Sequence, residues 1–461
     1  INNTISNTAD STISASLGRN SNNASLPVDV ASGTTLLISG PLVNVNGANG
    51  LTKSGDGTLS LSGTNTYTGA STVNAGTLEI SGAGLLGSGS YAAGIVNNGV
   101  LLLNSTAEQT LGGIISGTGA LVKASSVTLT LTNVSSYTGG TTVNAGTLIL
   151  GAGGNNACVR GALTVNADAT VTATVANAFG IVNTLSTLNI NGGNVDLATG
   201  QQHIWGTTVN MVGGTLKFSS NTQNEQFNVV YNISNSTSQA QILAQTGGAM
   251  RMRSSTNTPC IAFNVEDGSQ DVDLLVDVPI TNGDGVGGLT KTGAGTVEFT
   301  KANTYPGPTV INDGTVIMNG SHSGGGISYT VTVAGVLSGT GTISSAVTVD
   351  GVIAPGSGGI GTLTVGNVAW AAGPAWPFEL GAASSGDRLA INGGFTNNGG
   401  TGFAFDLQNT GEAGVYTLVT WTASTTFTNT DFLADNVPDD LTPAFTMNAN
   451  SLMLELASSG G

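Results

Sequence analysis

The sequence has little of what most enzymes, helical proteins and nucleic-acid-binding proteins depend on. Of its 461 residues, 8% are charged and 5% are aromatic, and only two are histidine and two cysteine. Runs of Ala, Leu, Glu and Lys, which favour helices, are nearly absent. No apolar run approaches the roughly 18 residues that a membrane-spanning helix needs. We therefore expect neither a helical fold nor a transmembrane segment.

Positive charge is especially scarce. Ten Lys and Arg stand against 26 Asp and Glu, which gives a formal net charge of −16. The basic residues are scattered singly, apart from Arg251 and Arg253, so the sequence argues against a nucleic-acid partner. An acidic, weakly charged surface rich in hydroxyl and amide groups suits an extracellular or bacterial cell-surface protein. Because the chain begins at Ile1 without a charged and apolar leader, we expect that any signal peptide has been removed.

Glycine is abundant, with 70 residues, and it marks an internal repeat. Residues 51–82 align without a gap with residues 121–150, and again with residues 289–320. In the first copy a Gly-Thr-Leu triplet at Gly57 returns 19 residues later at Gly76, and weaker echoes continue at a similar spacing along the chain. The sequence therefore repeats a structural unit of about 20 residues.

Apolar residues alternate with Thr, Ser, Asn or Glu within each unit, as at Leu59 and Leu61. Alternation of this kind predicts short strands and not helices. Gly-containing corners such as Asn74-Ala75-Gly76 separate the strands, because glycine tolerates the positive φ of a sharp turn. We predict an all-β fold: a right-handed-type parallel β-solenoid (β-helix) whose neighbouring coils stack about 4.8 Å apart.

Composition divides the chain into regions. Residues 1–30 are rich in Asn and Ser and are predicted to be an N-terminal extension. Residues 31–365 are predicted to form the solenoid, with an irregular section at 221–287 that has longer coils or an inserted hairpin. Residues 366–461 hold most of the Trp and Phe, which predicts an aromatic-rich C-terminal β cap or sandwich that covers the last coil.

The repeat resembles a known family. The pattern "GLTKTGAGT" followed by "NTYTG" and "VNAGTL" is similar to the autotransporter-associated β-strand repeat of bacterial autotransporter passengers. Gly288–Gly320 matches it best, Gly50–Gly82 nearly as well, and residues 120–150 less closely. The stretch 338–366 resembles the closing coils of such passengers. The resemblance implies export and a β-helix, but it says little about activity because a fold does not fix a function.

The cysteines, Cys158 and Cys260, lie several predicted coils apart. A disulfide would require the segment between them to loop out, because bridged Cα atoms lie within about 7 Å of each other. The spacing therefore favours two unpaired thiols over a single bridge.

Catalytic patterns are weak. His203 and His322 lie in unrelated units and neither belongs to a metal-binding or triad motif, so structural or exposed histidines are the preferred interpretation. Asp271, Asp273 and Asp277 resemble in type the acids that β-helix polysaccharide lyases and hydrolases use, yet no basic partner is nearby in sequence, and solvated carboxylates are favoured. We predict that the protein is not an enzyme and has no cofactor.

A cluster near the C-terminus offers weak calcium-ligand candidates, because Ca²⁺ prefers several oxygen ligands. Its spacing fits no EF-hand loop, so a polar loop is the preferred interpretation. The four candidates are Asp431, Asp435, Asp439 and Asp440.

Two residue types recur at the predicted corners. The tyrosines suit sugar stacking if they are exposed, and packing against the corner is the alternative. The asparagines suit either stacking and capping of backbone groups or ordinary turn chemistry. The recurring positions are Tyr67, Tyr137 and Tyr305, and Asn74, Asn144 and Asn312.

The features together predict a secreted structural protein that assembles with itself head-to-tail into an extracellular matrix or cell-surface fibre. Ile5, Ile13 and Leu17 are the assembly candidates, because a strand there can add to an open edge of a neighbouring molecule. The alternative is a monomeric adhesin or passenger stalk that binds glycans or cell surfaces. Extracellular polysaccharide is the expected partner beside the protein itself.

Overall fold

The computed structural model describes residues 4–182, 184–218, 223–234, 236–245, 247–254, 259–324, 328–382, 385–408 and 412–459. These residues form short β-strands joined by turns, with two single-turn 3₁₀ helices at Gly87–Gly89 and Asn429–Asp431. Among them, no helix has the length and apolar character that a membrane crossing requires. The prediction of an all-β parallel solenoid is confirmed.

Most strands are three to six residues long, as the alternating runs predicted. In chain order up to residue 218 they are β1 Ile5–Asn7, β2 Ser11–Ile13, β3 Leu17–Arg19, β4 Ser25–Val30, β5 Thr35–Ile38, β6 Leu42–Asn44, β7 Gly50–Ser54, β8 Thr58–Leu61, β9 Ser71–Val73, β10 Thr77–Gly82, β11 Ser90–Tyr91, β12 Ile95–Asn97, β13 Val100–Ser105, β14 Gln109–Leu111, β15 Ile115–Ser116, β16 Ala120–Lys123, β17 Leu129–Leu131, β18 Thr141–Leu150, β19 Ala162–Ala173, β20 Thr187–Asn191, β21 Asn194–Leu197, β22 His203–Trp205, β23 Thr208–Val212 and β24 Thr215–Phe218.

The strands from residue 223 onward continue the same pattern and end in an antiparallel pair. They are β25 Gln223–Phe227, β26 Val229–Ile233, β27 Ala240–Ala244, β28 Ala249–Ser254, β29 Pro259–Val265, β30 Leu274–Asp277, β31 Ile280–Gly285, β32 Gly288–Thr292, β33 Thr296–Phe299, β34 Ala302–Asn303, β35 Thr309–Ile311, β36 Gly314–Met318, β37 Ser321–His322, β38 Tyr329–Val331, β39 Gly335–Gly339, β40 Thr342–Ile343, β41 Val347–Val349, β42 Val352–Pro355, β43 Thr362–Val365, β44 Val368–Trp370, β45 Trp376–Glu379, β46 Arg388–Ile391, β47 Phe395–Asn397, β48 Phe403–Gln408, β49 Gly414–Trp421, β50 Phe432–Asp435, β51 Leu441–Met447 and β52 Ser451–Ser458.

The chain divides into two compact units, Ile1–Asn224 with Gln245–Gly248, and Glu225–Ala244 with Ala249–Gly461. In the first unit each coil turns through three faces. The first face stacks β1, β4, β7, β9, β12 and β15; the second stacks β2, β5, β8, β10, β13, β16, β18, β19, β20 and β23; the third is built from β3 with β6 and from β11, β14, β17, β18, β19, β21 and β24. The described strands of neighbouring coils in these faces pair in parallel, so backbone hydrogen bonds run from coil to coil.

The core of the first unit consists of columns of aliphatic side chains. Each coil contributes one side chain to a column. On the second face, directly paired leucines stack through five successive coils and are at most 1% exposed. Each buried leucine contributes about 1.5–3 kcal/mol of transfer free energy, so a column stabilises a coil whose outward positions are polar. The column is Leu36, Leu59, Leu78, Leu101 and Leu121.

A glycine at the repeat corner is required by two constraints. Gly76 has a φ of +63°, and a Cβ there would lie 2.3 Å from the carbonyl oxygen of Gly57 in the preceding coil. A side chain is therefore excluded by backbone conformation and by coil stacking together. Gly146 and Gly314, the equivalent residues of the other two copies, also have positive φ.

Residues 5–19, which the sequence suggested as part of an extension, form a coil of their own. Their strands β1, β2 and β3 pair in parallel with β4, β5 and β6. Ile5, Ile13 and Leu17 are half-buried in this coil. A strand of this segment is therefore already paired inside its own molecule, and donating it to a neighbour would break those pairs.

In the second unit, the section predicted to be irregular keeps its strands but lengthens its coils. Val229 of β26 pairs with Ile261 of β29, and Ile261 pairs with Leu289 of β32. Both coils thus exceed the spacing of about 20 residues, which explains why the triplet rhythm disappears there while the alternation persists.

The aromatic-rich region continues the coiled strands of the second unit before closing with a hairpin. Trp370 is fully buried, with its ring centroid 3.5 Å from that of Trp376 and 4.9 Å from that of Phe403. Strands β45, β48 and β50 pair in parallel, whereas β52 pairs antiparallel with both β49 and β51. The prediction of a bulkier apolar core is confirmed. At the edge of the sheet that contains β49 and β52, strand β51 carries Pro443, a residue that discourages further strand addition.

Candidate functional surface

The lysine of the repeat is buried at a corner between two strands. Lys53 lies near the end of β7, the first strand of copy one, and it is 0% exposed. Its Nζ donates to the carbonyl oxygens of Ser54 at 2.9 Å and Gly55 at 2.6 Å, and to that of Ala75 in the next coil at 3.2 Å. The ammonium group thus satisfies carbonyl groups that the corner removes from the strand ladder.

The other two copies repeat this contact. Lys123 Nζ donates to Ser125 O at 2.5 Å and to Ala145 O at 2.7 Å. Lys291 Nζ donates to three carbonyl oxygens, including that of Asp313 at 3.0 Å. Burial lowers the pKa of both lysines to about 8. The repeated lysine is a structural residue and offers no surface for a ligand.

The recurring tyrosines are buried, so the idea of an exposed sugar-stacking column is wrong. Tyr67, Tyr137 and Tyr305 are 2%, 0% and 3% exposed. Each hydroxyl pairs with a hydroxyl four residues later, for example Tyr305 with Thr309 at 2.6 Å. The alternative, packing against the corner, is confirmed, because an aromatic ring with one satisfied polar atom fills the wide interior of a corner.

A buried asparagine accompanies the tyrosine in copies one and three. Asn65 Oδ1 accepts from the backbone N–H of Leu42 at 2.9 Å, and its Nδ2 donates to the carbonyl oxygens of Gly63 and Leu85, both at 2.9 Å. One amide thereby links three coils. Asn303 makes an equivalent contact with Ile280.

Both histidines have structural partners. His322 is 2% exposed and stacks on Tyr305 with ring centroids 4.1 Å apart. Its ring nitrogens contact the hydroxyl of Tyr329 and the carbonyl oxygen of Tyr305, both at 2.8 Å. Burial lowers the pKa of His322. His203 Nδ1 lies 2.6 Å from Asn177 Oδ1. The structural interpretation of the histidines fits this geometry.

The three aspartates of "DVDLLVDV" differ in their exposure and in their partners. Asp271 is exposed. Asp273 is 7% exposed, and its carboxylate accepts from the backbone N–H groups of Gly268 at 2.9 Å and Thr296 at 2.8 Å. Asp277 pairs with Lys301 at 2.9 Å. The expectation that all three are solvated is therefore wrong for Asp273, which caps corner backbone groups.

The calcium candidates are not brought together. Asp431 accepts from the backbone N–H of Thr428 at 2.7 Å and so caps a 3₁₀ turn. Asp435 pairs with Asp406 across β50 and β48, whereas Asp439 and Asp440 precede β51. In the part of the chain that the structure describes, no three His, Cys, Asp or Glu residues form a group that could hold a metal ion.

The two cysteines, which the spacing predicted to be unpaired, are buried free thiols. Burial raises the pKa of Cys158 to about 12 and that of Cys260 to about 11. Because the thiolate is the reactive form, neither thiol is reactive near neutral pH.

The outward positions of the second face carry two rows of polar side chains, which we call the amide ladder. In one row Asn166 Nδ2 donates to Asn144 Oδ1 at 2.7 Å, and Asn191 donates to Asn166 at 3.1 Å. In the other row Asn189 donates to Thr164 Oγ1 at 3.2 Å and Asn210 donates to Asn189 at 2.8 Å. The ladder is defined as Asn144, Thr164, Asn166, Asn189, Asn191 and Asn210.

Sequence reasoning found only one member of the ladder, Asn144, and assigned it to a corner. A signal was present, because Asn166, Asn191 and Asn210 each occupy an outward position of an alternating strand. What the sequence lacked was the register, since the ladder exists only when these strands stack directly on one another. The stacking of asparagine amides, one of the two alternatives for Asn144, is what the structure shows.

The sequence is similar to known bacterial proteins. The passenger-associated-transport-repeat family matches residues 51–80, 121–150 and 289–318. The adhesin BmaC autotransporter of Brucella suis biovar 1 (strain 1330) is 34% identical over 319 residues, which cover 63% of this chain. An extracellular serine protease of Serratia marcescens is 37% identical over 117 residues, 25% of this chain. The chain spans only 8% and 11% of these two proteins.

Among solved structures, the Haemophilus influenzae Hap adhesin aligns over 98% of this chain and 64% of its own, at 11% identity and a TM-score of 0.29. The fold defines the class: the chain is a parallel β-helix protein. It carries three passenger-associated transport repeats and resembles secreted bacterial passengers.

Proposed function

We propose that the chain is the β-helical part of an adhesin and that its amide ladder binds glycans. The observation that carries this proposal is the uncharged, hydrogen-bonded array of amides and hydroxyls on the second face. Support also comes from the relative that is named an adhesin, the BmaC autotransporter. Similarity to passengers further supports an extracellular or cell-surface location.

The ladder suits a polyhydroxylated ligand for a physical reason. Its rows repeat about every 4.8 Å along the coil axis, and residues two apart on a strand lie about 7 Å from each other. Amides both donate and accept hydrogen bonds, as sugar hydroxyls do. Because neighbouring coils already hold these side chains in place, little conformational entropy is lost on binding.

The test compares two double variants in a glycan-array and cell-binding assay. Asn189→Leu with Asn191→Leu disrupts the ladder, and we expect at least tenfold weaker binding with an unchanged melting temperature. Thr172→Leu with Asn194→Leu places the same apolar groups on the third face and should leave binding intact. Equal losses in both variants, or no loss in the first, would contradict the proposal.

Head-to-tail assembly into a fibre is a second candidate, supported by the half-buried apolar residues Ile5, Ile13 and Leu17 of the first coil. Any edge of that coil left unpaired would template strand addition. Negative-stain electron microscopy at several concentrations tests this. Filaments that disappear after deletion of residues 1–20, while the remaining coils stay folded, would support assembly; short isolated particles from the intact chain would refute it.

We propose no catalytic role. Asp273 and His322 are committed to structural hydrogen bonds, which a reaction would have to break. The similarity to a serine protease covers only a quarter of the chain. Incubation with polysaccharides should release no reducing sugar, and release above background would overturn this view.

A further inference from the structure

A cavity of about 270 Å³ lies on the outside of the second unit. The loop 355–359, between β42 and β43, forms one wall. Ile317 and Pro377 line the cavity with apolar surface, and Glu379 and Asp387 line it with carboxylates. Ser338 and Gln408 add polar groups to the lining.

Asp387 is unusual because its carboxylate is buried beside this cavity and has no basic partner. It is 1% exposed. Its Oδ1 accepts from the backbone N–H of Gly361 at 2.7 Å, and its Oδ2 accepts from that of Glu379 at 2.8 Å. An ionised carboxylate can accept about four hydrogen bonds, so these contacts use about half of its capacity. Among the described residues, no lysine or arginine pairs with Asp387.

The charge around Asp387 is uncompensated. Burial raises its pKa to about 6; the two backbone hydrogen bonds oppose this rise and the charge of Glu379 adds to it. Among the described residues that line the cavity, none is basic. Two ionised carboxylates that line the same cavity repel each other. A cation bound between them would replace this repulsion with attraction to both groups.

The size and lining of the cavity favour an organic cation over a bare metal ion. A bound Ca²⁺ takes six to eight oxygen ligands, whereas two carboxylates line this cavity and no group of three acids is found in the described ranges. The volume accommodates a small ring, and Ile317, Ala354 and Pro377 offer apolar surface for its carbon skeleton.

The loop glycine Gly356 permits the close approach that forms the cavity. Its φ is +96°, and a Cβ there would lie 3.0 Å from Asp387 Oδ1 and 2.4 Å from the carbonyl oxygen of Gly359. The loop is also held by a pair of backbone hydrogen bonds between Gly356 and Gly339, at 2.9 and 3.0 Å. The wall therefore stays in place beside the carboxylate.

We propose that this cavity binds a small organic ligand through a primary ammonium group placed between Glu379 and Asp387, with its carbon skeleton against Ile317 and Pro377. An amino sugar and a lysine side chain share this chemistry. The site is separate from the amide ladder, so it does not depend on the proposed adhesin function.

Isothermal titration calorimetry with the whole chain tests the proposal at low salt. Glucosamine and Nα-acetyl-lysine amide are the probes, and N-acetylglucosamine, which lacks the charge, is the matched control ligand. We expect at least one amine to bind tenfold or more tightly than N-acetylglucosamine. Preference between the two amines identifies the source. Equal binding of N-acetylglucosamine, or no heat from either amine at about 10 mM, would overturn the proposal.

Three variants locate the binding. Glu379→Gln should weaken amine binding about tenfold, because opposite charges in a partly buried site attract strongly. Ala354→Phe fills the cavity without changing charge and should abolish binding. Glu455→Gln removes an exposed carboxylate from β52 and should have no effect. Binding that falls equally in all three variants, or calcium binding that depends on Glu379, would contradict the assignment. Retained circular dichroism in each variant excludes misfolding.

Discussion

The first two copies of the repeat occupy different faces of the first unit. Copy one runs from the first face to the second, whereas copy two runs from the second face to the third. Leu121, the first residue of copy two, stacks on Leu101 and through it on Leu78, a residue of the last strand of copy one. The two copies are therefore three coils plus one face apart.

This difference shows that the repeat encodes a corner. Lys53 caps the corner between the first and second faces, and Lys123 caps the one between the second and third, with the same backbone contacts. Two different corners of a coil thus hold the same strand–turn–strand unit. The predictions below test how far this equivalence extends.

The largest effect should come from the asparagine that the two copies do not share. Asn65→Ala leaves the backbone N–H of Leu42 without a partner and removes one of the donors to the carbonyl oxygens of Gly63 and Leu85. We expect it to lose about 3 kcal/mol of unfolding free energy. Copy two has Ser135 at this position, and Ser135→Ala should cost less than about 1 kcal/mol. Urea unfolding monitored by circular dichroism measures both. Equal losses would mean that the amide does not link the coils energetically.

The lysine corners should behave alike. Lys53→Met, Lys123→Met and Lys291→Met should each cost about 1–3 kcal/mol, since each leaves two or three buried carbonyl groups without a donor. Lys301→Met serves as the control, because its side chain is 44% exposed and exposed ion pairs contribute under about 1 kcal/mol. A stable Lys53 variant beside an unstable Lys123 variant would show that corners are not equivalent.

As the pH is raised, the coils that contain most of the tyrosines should unfold at a lower pH than the aromatic-rich region. All seven tyrosines are buried, and each has a raised pKa, chiefly through burial, about 12 for Tyr91. Their folded pKa exceeds the unfolded value of about 10, so their contribution is fully present below pH 10 and is lost as pH rises above it.

Two spectroscopic probes separate the regions in this experiment. Six of the seven tyrosines precede residue 366, and three of the four tryptophans follow it. Tyrosinate absorbance should therefore rise at a lower pH than the pH at which tryptophan emission shifts. Coincident transitions would mean that the chain unfolds as one cooperative unit.

The smallest effect concerns the titration of Lys123. Its folded pKa of about 8 lies below the usual lysine value of 10.5, so the unfolded chain binds the proton more tightly in this interval. Stability relative to Lys123→Met should consequently rise between pH 8 and 10.5. Paired melting temperatures across this range measure the change, and a flat difference would show that the carbonyl contacts hold the ammonium charged.

Much of the fold was predictable from local pattern. The alternation at Leu59 and Leu61, the returning glycines and the repeat period specify short strands in a stacked coil, because period-two burial and a fixed unit length leave few other folds. The candidate surface was not predictable in the same way. Asn166 and Asn189 look like ordinary strand residues until the register places them beside their neighbours.

The length of the coil, the alternation of the strands, the corner glycine at position 76 and the aromatic core near Trp370 could be read from the sequence. These features depend on residue spacing and on side-chain volume. Other features became evident only from the three-dimensional structure. Tyr67 faces inward, and Asp273 and His322 serve as structural groups. The second copy of the repeat begins one face further round the coil than the first copy, and a loop places Asp387 beside a cavity. These outcomes depend on the register between coils, which is the sum of all coil lengths and is absent from any single repeat.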